Sequence, residues 1–333
     1  MKGIYTMINF LPNDSFIHEA KLAKFQPTVV IQILIFIIIL IATSFAQAIP
    51  IGIVMFAQVF TSNNFDIKNP DSIQKLITKV ESSRTTLVAE LISTVIITFL
   101  VIIYCRCIEK RSFRSMGFVK KRAVPQYLIG MIIGFAMFSA CVLICVLTNS
   151  LEYKGIIAQG NVLIIVLFFI GFLFQGMEEE VIMRGYLMPS LSNKIPIVAA
   201  ILLNSVLFSM LHLANDGITA LAFINLILYG IFISVYVIRT NSLWGACAIH
   251  SVWNFVQGNF YGIFVSGLDT KTSVFSFTTV DNGELFNGGK FGLEGGLAVT
   301  FVLILTTTLT LLITGNNKSK ENTEQGSSIS SIQ

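Results

Sequence analysis

The chain has 333 residues, of which 54% are hydrophobic and 12% are charged, and its formal net charge is +4. Its mean hydropathy is +0.78. Soluble domains carry about 25% charged residues, so this composition excludes an ordinary soluble globular protein and predicts a polytopic membrane protein. Continuous apolar runs predict helices, because a helix satisfies its own backbone hydrogen bonds in lipid. The predicted fold class is therefore all-α.

Eight apolar runs follow a polar N-terminal segment. Residues 1–26 are predicted to form a cytoplasmic tail, since the first apolar run begins too late and is too long for a cleaved signal peptide. Residues 27–314 are predicted to form the membrane domain, and 315–333 a disordered cytoplasmic tail. A helix needs about 20 apolar residues to cross a hydrocarbon core of ~30 Å. The runs of roughly this length cover residues 28–50, 85–105, 126–148, 161–183, 197–213, 218–238, 243–265 and 296–314.

The first run leaves two interpretations open. Its apolar character continues past Pro50 to about Phe60. Proline removes a backbone donor and disfavours a straight helix. The run is therefore either one kinked helix or a span with a short re-entrant extension.

Lysine and arginine residues predict the orientation, because they concentrate in cytoplasmic loops. With the N-terminus inside, 14 of them fall on the cytoplasmic side and 7 on the other side, with the densest cluster in the 106–125 loop. The sequence thus predicts an N-in, C-in protein of the cell membrane. Membrane lipid, and no nucleic acid, is the predicted partner of the basic loop. The five cysteines lie in or beside predicted spans and indicate no disulfide framework.

One predicted span contains charged residues. Glu179, Glu180 and Arg184 lie in this apolar stretch, although a charge at the centre of a membrane costs ~2.5–3.5 kcal/mol on insertion scales. Glu180 and Arg184 are four residues apart, so they share a helical face and can pair. Glu179 is turned from Glu180 by about 100° and is predicted to face a cavity.

Two histidines and an asparagine follow in later spans. At ~1.5 Å per residue, the chain brings His212 back to nearly the depth of Glu179, and Pro189 is expected to bend or end the helix between them. His250 and Asn254 are one helical turn apart on the same face. The side chains are predicted to surround a cavity below mid-membrane that opens towards the cytoplasm.

These side chains are the groups needed to hydrolyse an amide. A glutamate in a partly dry site can take a proton from water that a histidine shares, while a second histidine and an asparagine amide donate to the oxyanion. The alternative for any one of these residues is a structural role: an ion pair between Glu180 and Arg184, and a hydrogen bond from each histidine to a neighbouring carbonyl. The matched depth of all the residues favours a catalytic role. A proton-coupled transporter is a further alternative, which the lack of an internal repeat disfavours.

The sequence predicts that no cofactor is required. It contains no His-Glu-x-x-His motif, which excludes the usual helical zinc protease site. Zinc is the alternative, and its candidate ligands are Glu179, His212 and His250. These ligands come from three separate spans, and no spacing rule supports them.

Three motifs carry a family resemblance. Glu179-Glu180-Val-Ile-Met-Arg184, Phe208-Ser-Met-Leu-His212 and His250-Ser-Val-Trp-Asn254 resemble, in this order, the EExxxR, FxxxH and HxxxN motifs of the CPBP intramembrane proteases. This group contains the type II CAAX prenyl endopeptidases and bacteriocin-processing or self-immunity proteins. The resemblance covers roughly residues 160–265.

The resemblance implies a role for each motif residue. Four are implied to be catalytic: Glu179 and His212, which activate water, and His250 and Asn254, which stabilise the oxyanion. Two are implied to support the site: Glu180 and Arg184. The implied function is a CAAX-type intramembrane endopeptidase that cuts a prenylated CAAX-type protein or a leader or bacteriocin-type peptide near the cytoplasmic side. The alternative is a non-proteolytic membrane immunity or scaffold protein of the same fold.

Overall fold

The computed structural model describes residues 15–62, 69–156 and 162–312, and helices dominate these ranges. Two π-helical turns, Val181–Leu187 and Val256–Phe260, interrupt or extend the α-helices. The tail predicted at 315–333 lies outside the described residues. The α-helices are α1 Phe16–Ala20, α2 Val29–Phe60, α3 Pro70–Glu81, α4 Arg84–Ser93, α5 Val95–Cys107, α6 Ala123–Leu147, α7 Val162–Glu180, α8 Met188–Ser192, α9 Ile197–Met210, α10 Ala220–Thr240, α11 Trp244–Phe255, α12 Glu284–Asn287 and α13 Leu297–Leu312.

The polytopic helical class is confirmed, but the count of eight spans is not. The runs predicted at 197–213, 243–265 and 296–314 form the shorter helices α9, α11 and α13. The 14 residues of α9 rise only ~21 Å, less than the ~30 Å core. Five helical segments of the described chain are long and apolar enough to cross a membrane: Val29–Phe60, Arg84–Cys107, Ala123–Leu147, Val162–Ser192 and Ala220–Thr240.

The first apolar run forms a single helix. α2 continues through Pro50 and ends at Phe60 after 32 residues. The structure therefore contains one continuous helix here and not a span followed by a re-entrant extension. The second run is divided at Thr94 into α4 and α5.

Two features of the structure were not predicted, and both are compatible with the mainly helical class: a small two-stranded sheet and the packing of residues 15–24. Strand β1, Leu151–Ile156, pairs antiparallel with strand β2, Phe275–Thr279, and joins the loop after α6 to the loop after α11. The segment 15–24, predicted as tail, packs onto the bundle, where Phe16 and Ile17 are fully buried. Both features depend on contacts between distant parts of the chain, which local periodicity does not reveal.

The break predicted at Pro189 takes the form of a π-helical turn. α7 continues through Val181–Leu187 into α8 without ending. A proline cannot donate to the carbonyl four residues before it, which here belongs to Gly185. Arg111 Nη2 donates to that carbonyl oxygen at 2.9 Å, while Arg111 Nη1 pairs with Glu109 at 3.1 Å. Arg111, one of the basic residues of the 106–125 loop, is therefore buried and anchors the motif helix.

Helix α11 lies between α6 and α7 at close range. A Cβ atom at Gly134 of α6 would lie 2.6 Å from the Ile249 carbonyl oxygen, and one at Gly176 of α7 would lie 2.5 Å from Ser251 N. Side chains larger than hydrogen are excluded at both positions. The close approach at Gly176 places His250 against the motif on α7.

Contacts between loops define two opposite ends of the bundle. At one end, Leu243 N donates to the Gly117 carbonyl at 2.8 Å. At the other end, β1 pairs with β2, and Lys271 Nζ donates to the Ser82 carbonyl at 2.8 Å. The first, which we call the basic end, comprises residues 15–24, 108–122, 193–194 and 239–244, and the second, the hairpin end, comprises residues 82–84, 148–156, 211–219 and 261–296.

Candidate active site

The charged motif residues lie where α7 passes into its π-helical turn. Arg184 Nη1 donates to Glu180 Oε1 at 3.0 Å, and both side chains are fully buried. Arg184 also donates to the Gly230 carbonyl at 3.2 Å, and its guanidinium carbon lies 4.9 Å from the centre of the Phe208 ring. The pair expected from the spacing of four residues is therefore present, and it is further held by α9 and α10.

His250 lies between the two motif glutamates. Its Nδ1 atom is 2.7 Å from Glu180 Oε1, and its Nε2 atom is 3.3 Å from Glu179 Oε2. Glu180 Oε1 is also the acceptor for Arg184, so one carboxylate oxygen joins the arginine to the imidazole. Burial of this group strengthens each charge interaction. Glu180 thus orients His250 in addition to pairing with Arg184.

Another chain of hydrogen bonds leads from Glu179 to Asn254. Gln175 Nε2 donates to Glu179 Oε1 at 2.6 Å, and Asn254 Nδ2 donates to Gln175 Oε1 at 2.8 Å. Gln175 was not among the predicted site residues, although its spacing of four residues from Glu179 was a usable signal. Glu179 Oε2 is buried and has no hydrogen-bond partner within the described part of the chain.

His212 lies just beyond the end of α9. Its Nδ1 atom is 3.0 Å from the Phe208 carbonyl oxygen, and the two rings are 4.9 Å apart between centroids. The histidine is half-buried. It therefore occupies a turn, not the interior of a span.

One cavity of about 400 Å³ receives all four side chains that the resemblance implies to be catalytic. These side chains come from α7, from the turn after α9 and from α11. The structure thus brings together groups that are separated by as many as 75 positions along the chain. They are Glu179, His212, His250 and Asn254.

Two further residues line this cavity and escaped the sequence analysis. The ring of Tyr229 on α10 is 5.1 Å from that of His250. The Glu294 carboxylate accepts hydrogen bonds from Trp253 Nε1 at 3.1 Å and from Ser266 Oγ at 2.7 Å. A tyrosine in an apolar span resembles ordinary core, and Glu294 lies in a distant loop. Local sequence therefore gave no signal for either residue.

The cavity reaches the hairpin end of the bundle. Its lining contains Asn215, Asp216, residues 265–268 and Glu294, all from loops at that end, and no residue of the basic end. The lining therefore places the cavity towards the end of the bundle opposite the basic loops, whereas the sequence analysis predicted an opening on the side of those loops. Helix α9 begins beside the basic end at Ile197 and runs to Met210, so His212, two residues further on, lies at the hairpin end.

A zinc site does not fit this geometry. Within the described ranges, no three His, Cys, Asp or Glu side chains are close enough together to hold a metal ion. Both ring nitrogens of His250 face carboxylates, and Glu179 Oε1 accepts from Gln175. The candidate ligands Glu179, His212 and His250 therefore do not form a metal-binding set here.

The fold and the site define a class of protein: a polytopic helical membrane protein with a glutamate and histidine cavity inside its bundle. Residues 161–256 match the family described as type II CAAX prenyl endopeptidase Rce1-like. The match spans under a third of the chain, includes all three motifs, and confirms the resemblance to the CPBP intramembrane proteases. It supports a membrane peptidase in general. No curated protein and no solved structure matches the chain.

Proposed function

We propose that the protein is an intramembrane endopeptidase that hydrolyses a peptide bond without a resident metal. The convergence of the four motif side chains on one cavity carries this proposal, because hydrolysis needs a base, a positioned water and oxyanion donors at one place. The substrate is a membrane-associated protein or peptide. The two candidate classes are a prenylated CAAX-type protein and a leader or bacteriocin-type peptide.

Glu179 is the general base of the proposed reaction. Its Oε1 atom is held by Gln175. Its Oε2 atom lies 3.3 Å from His250 Nε2 but accepts no hydrogen bond within the described ranges, so it can accept a proton from water. The water oxygen bonds to the carbonyl carbon, and the electron pair of the carbonyl moves to its oxygen. When the C–N bond breaks, Glu179 returns the proton to the leaving amine. His212 shares the attacking water and helps to orient it.

The charges of Glu179, Glu180, Arg184 and His250 sum to zero when the His250 ring is protonated. An imidazolium has one N–H for Glu180 at Nδ1 and another at Nε2 beside Glu179. Together with Arg184 it then compensates the two carboxylates, as a buried site requires. In this form Nε2–H can donate to the developing oxyanion, and Asn254 supplies an amide N–H.

A cleavage assay with purified, detergent-solubilised protein tests the proposed function. The substrates are prenylated CAAX-type peptides and leader-type peptides, with mass spectrometry locating each cut. We expect at least one peptide to be cleaved at an internal bond. If a preparation with a cooperative melting transition cuts none of them, a non-proteolytic immunity or scaffold role replaces this proposal.

We expect cleavage to proceed without bound zinc, because the side chains around His250 are engaged with one another and not arranged as metal ligands. Elemental analysis of active protein should give well below one zinc per chain, and a chelator should leave the cleavage rate unchanged. A zinc protease in the same buffer verifies that the chelator works. Stoichiometric zinc, with activity lost on its removal and restored on its return, would contradict this expectation.

A further inference from the structure

We propose that the substrate enters the cavity from the non-cytoplasmic side of the membrane and is a leader-type or secreted peptide, not a cytosolic prenylated protein. This inference rests on the proposed peptidase function. It follows from the position of the cavity opening and from the distribution of charge between the two ends of the bundle.

The cavity rim at the hairpin end is a connected structure. Asn215 Nδ2 donates to the Ser266 carbonyl at 2.9 Å, and Ser266 N and Oγ both donate to Glu294 Oε2, at 2.8 and 2.7 Å. Gly267 N donates to the Phe291 carbonyl at 2.9 Å. The loops after α9 and α11 and the loop before α13 thus hold one another around the opening.

Charge distinguishes this end from the opposite one. The basic end contains ten lysines and arginines and two acidic residues, which gives it a net charge of +8. The hairpin end contains four lysines and arginines and six acidic residues, which gives it a net charge of −2. Lysine and arginine mark the cytoplasmic side of short loops. The basic end therefore faces the cytoplasm, and the opening faces away from it.

The cavity lining also disfavours a CAAX peptide. A CAAX motif ends at the C-terminus, so its free carboxylate lies within a few residues of the bond to be cut. The lining includes the carboxylates of Glu179, Asp216 and Glu294 and, among the described residues, no lysine or arginine. A substrate carboxylate there would lie close to these side chains of like charge, which is unfavourable. An internal bond of a leader peptide brings no such charge.

Accessibility in intact cells tests the orientation of the opening. In a Cys107→Ser background, Ala214→Cys places a thiol on the cavity rim, and the matched Ser112→Cys places one on the exposed surface of the basic end. We expect a membrane-impermeant maleimide to label position 214 in intact cells and position 112 only after permeabilisation. The reverse pattern would overturn the inference.

A functional measurement uses a membrane-impermeant leader-type peptide that the purified protein cleaves. Intact cells producing the protein should cleave the peptide, cells producing Glu179→Gln should not, and maleimide on Ala214→Cys should block cleavage. If inverted vesicles cleave it and intact cells do not, the inference is wrong while the peptidase function stands. If purified protein cleaves only prenylated peptides, the substrate assignment is wrong. If it cleaves nothing, both proposals fail.

The hydroxyl group of Tyr229 carries a second proposal, which is independent of orientation and also rests on the peptidase function. We infer that Tyr229 is a catalytic residue that donates a hydrogen bond to the oxygen of the reacting carbonyl. Tyr229 lines the cavity and is only 6% exposed, yet its hydroxyl has no hydrogen-bond partner among the described residues. Buried hydroxyl groups without partners are rare in native structures.

Each donor implied by the motifs also has a partner within the protein, whereas the Tyr229 hydroxyl has none among the described residues. Asn254 Nδ2 donates to Gln175, and both ring nitrogens of His250 face carboxylates. Tyr229 packs edge to face against His250, with ring centroids 5.1 Å apart, so its unengaged O–H adjoins the proposed catalytic group. A tetrahedral intermediate requires such a donor in its final position before reaction.

Tyr229→Phe removes this O–H and keeps the ring. We expect kcat to fall by ~10²-fold, the lower end of the loss for one oxyanion donor, with KM unchanged. The melting temperature should be equal or higher, because an unpartnered buried hydroxyl is removed. The matched control is Tyr236→Phe, a buried tyrosine on the same helix that does not line the cavity; it should cleave at the parental rate.

The outcomes separate a catalytic from a structural hydroxyl. Parental turnover in Tyr229→Phe would overturn the proposal and leave the peptidase function intact. A lower melting temperature with equal losses in Tyr236→Phe would show that the hydroxyl is structural. A parent protein that cleaves no peptide would remove the basis of both proposals.

Discussion

Replacing Glu179 by glutamine should lower cleavage by ~10²–10⁴-fold, the range typical for loss of a general acid or base. The amide keeps the shape of the side chain and can still accept from Gln175 Nε2 through its oxygen. It cannot take a proton from water. Folded yield and melting temperature should therefore match those of the parent, and His212→Ala should be comparably damaging to turnover. Initial rates on a peptide cut by the parent measure the effect.

Glu178→Gln is the matched control for this substitution. Glu178 is the neighbouring glutamate on α7 and is also buried, but its side chain does not line the cavity. We expect it to cleave at close to the parental rate. If Glu179→Gln cleaves at the parental rate, or still protects cells where the parent does, the proposal that Glu179 catalyses hydrolysis is wrong. The immunity or scaffold alternative then replaces it.

Arg184→Ala should reduce the amount of folded protein together with activity. Arg184 is fully buried and paired with Glu180, and its removal leaves Glu180 with a buried charge that only His250 can compensate. Breaking a buried pair in this way typically costs ~3–5 kcal/mol. The yield of folded protein in detergent and its melting temperature measure the loss of stability. Arg84→Ala, at an exposed arginine, should change stability by no more than ~0.5 kcal/mol.

A double variant identifies the cause of this loss. In Glu180→Gln with Arg184→Met, the uncompensated charge is absent, so folded yield should recover relative to Arg184→Ala. Activity should stay low, because His250 loses the carboxylate that orients it. Should Arg184→Ala instead accumulate and melt like the parent while losing all activity, Arg184 has a direct role in the reaction that the proposed mechanism does not include.

The lengths of the apolar runs predicted much of the fold. The positions of α2, α6 and α10 follow from composition, since a membrane helix satisfies its own backbone and needs only apolar side chains outside. The lengths of α9 and α11 did not follow, because neighbouring helices and loops, not lipid alone, surround their ends. The pairing of β1 with β2 was also hidden, since its partners are more than a hundred residues apart.

The site was only partly accessible from the sequence. The motif positions named Glu179, His212, His250 and Asn254 as candidates, but not the contacts among them. His250 lies between two carboxylates because glycines let α11 approach α7. Such an arrangement depends on packing between helices and produces no periodic pattern in the sequence of either helix.

The sequence by itself determined the membrane class, the charged motif and the pairing of Glu180 with Arg184. Each of these depends on composition or on spacing within one helix, where geometry is fixed at 3.6 residues per turn. Tertiary structure alone decided that Tyr229 and Glu294 join the cavity and that the cavity extends to the hairpin end. These features depend on where helices end and which helices touch, and contacts between distant residues settle both.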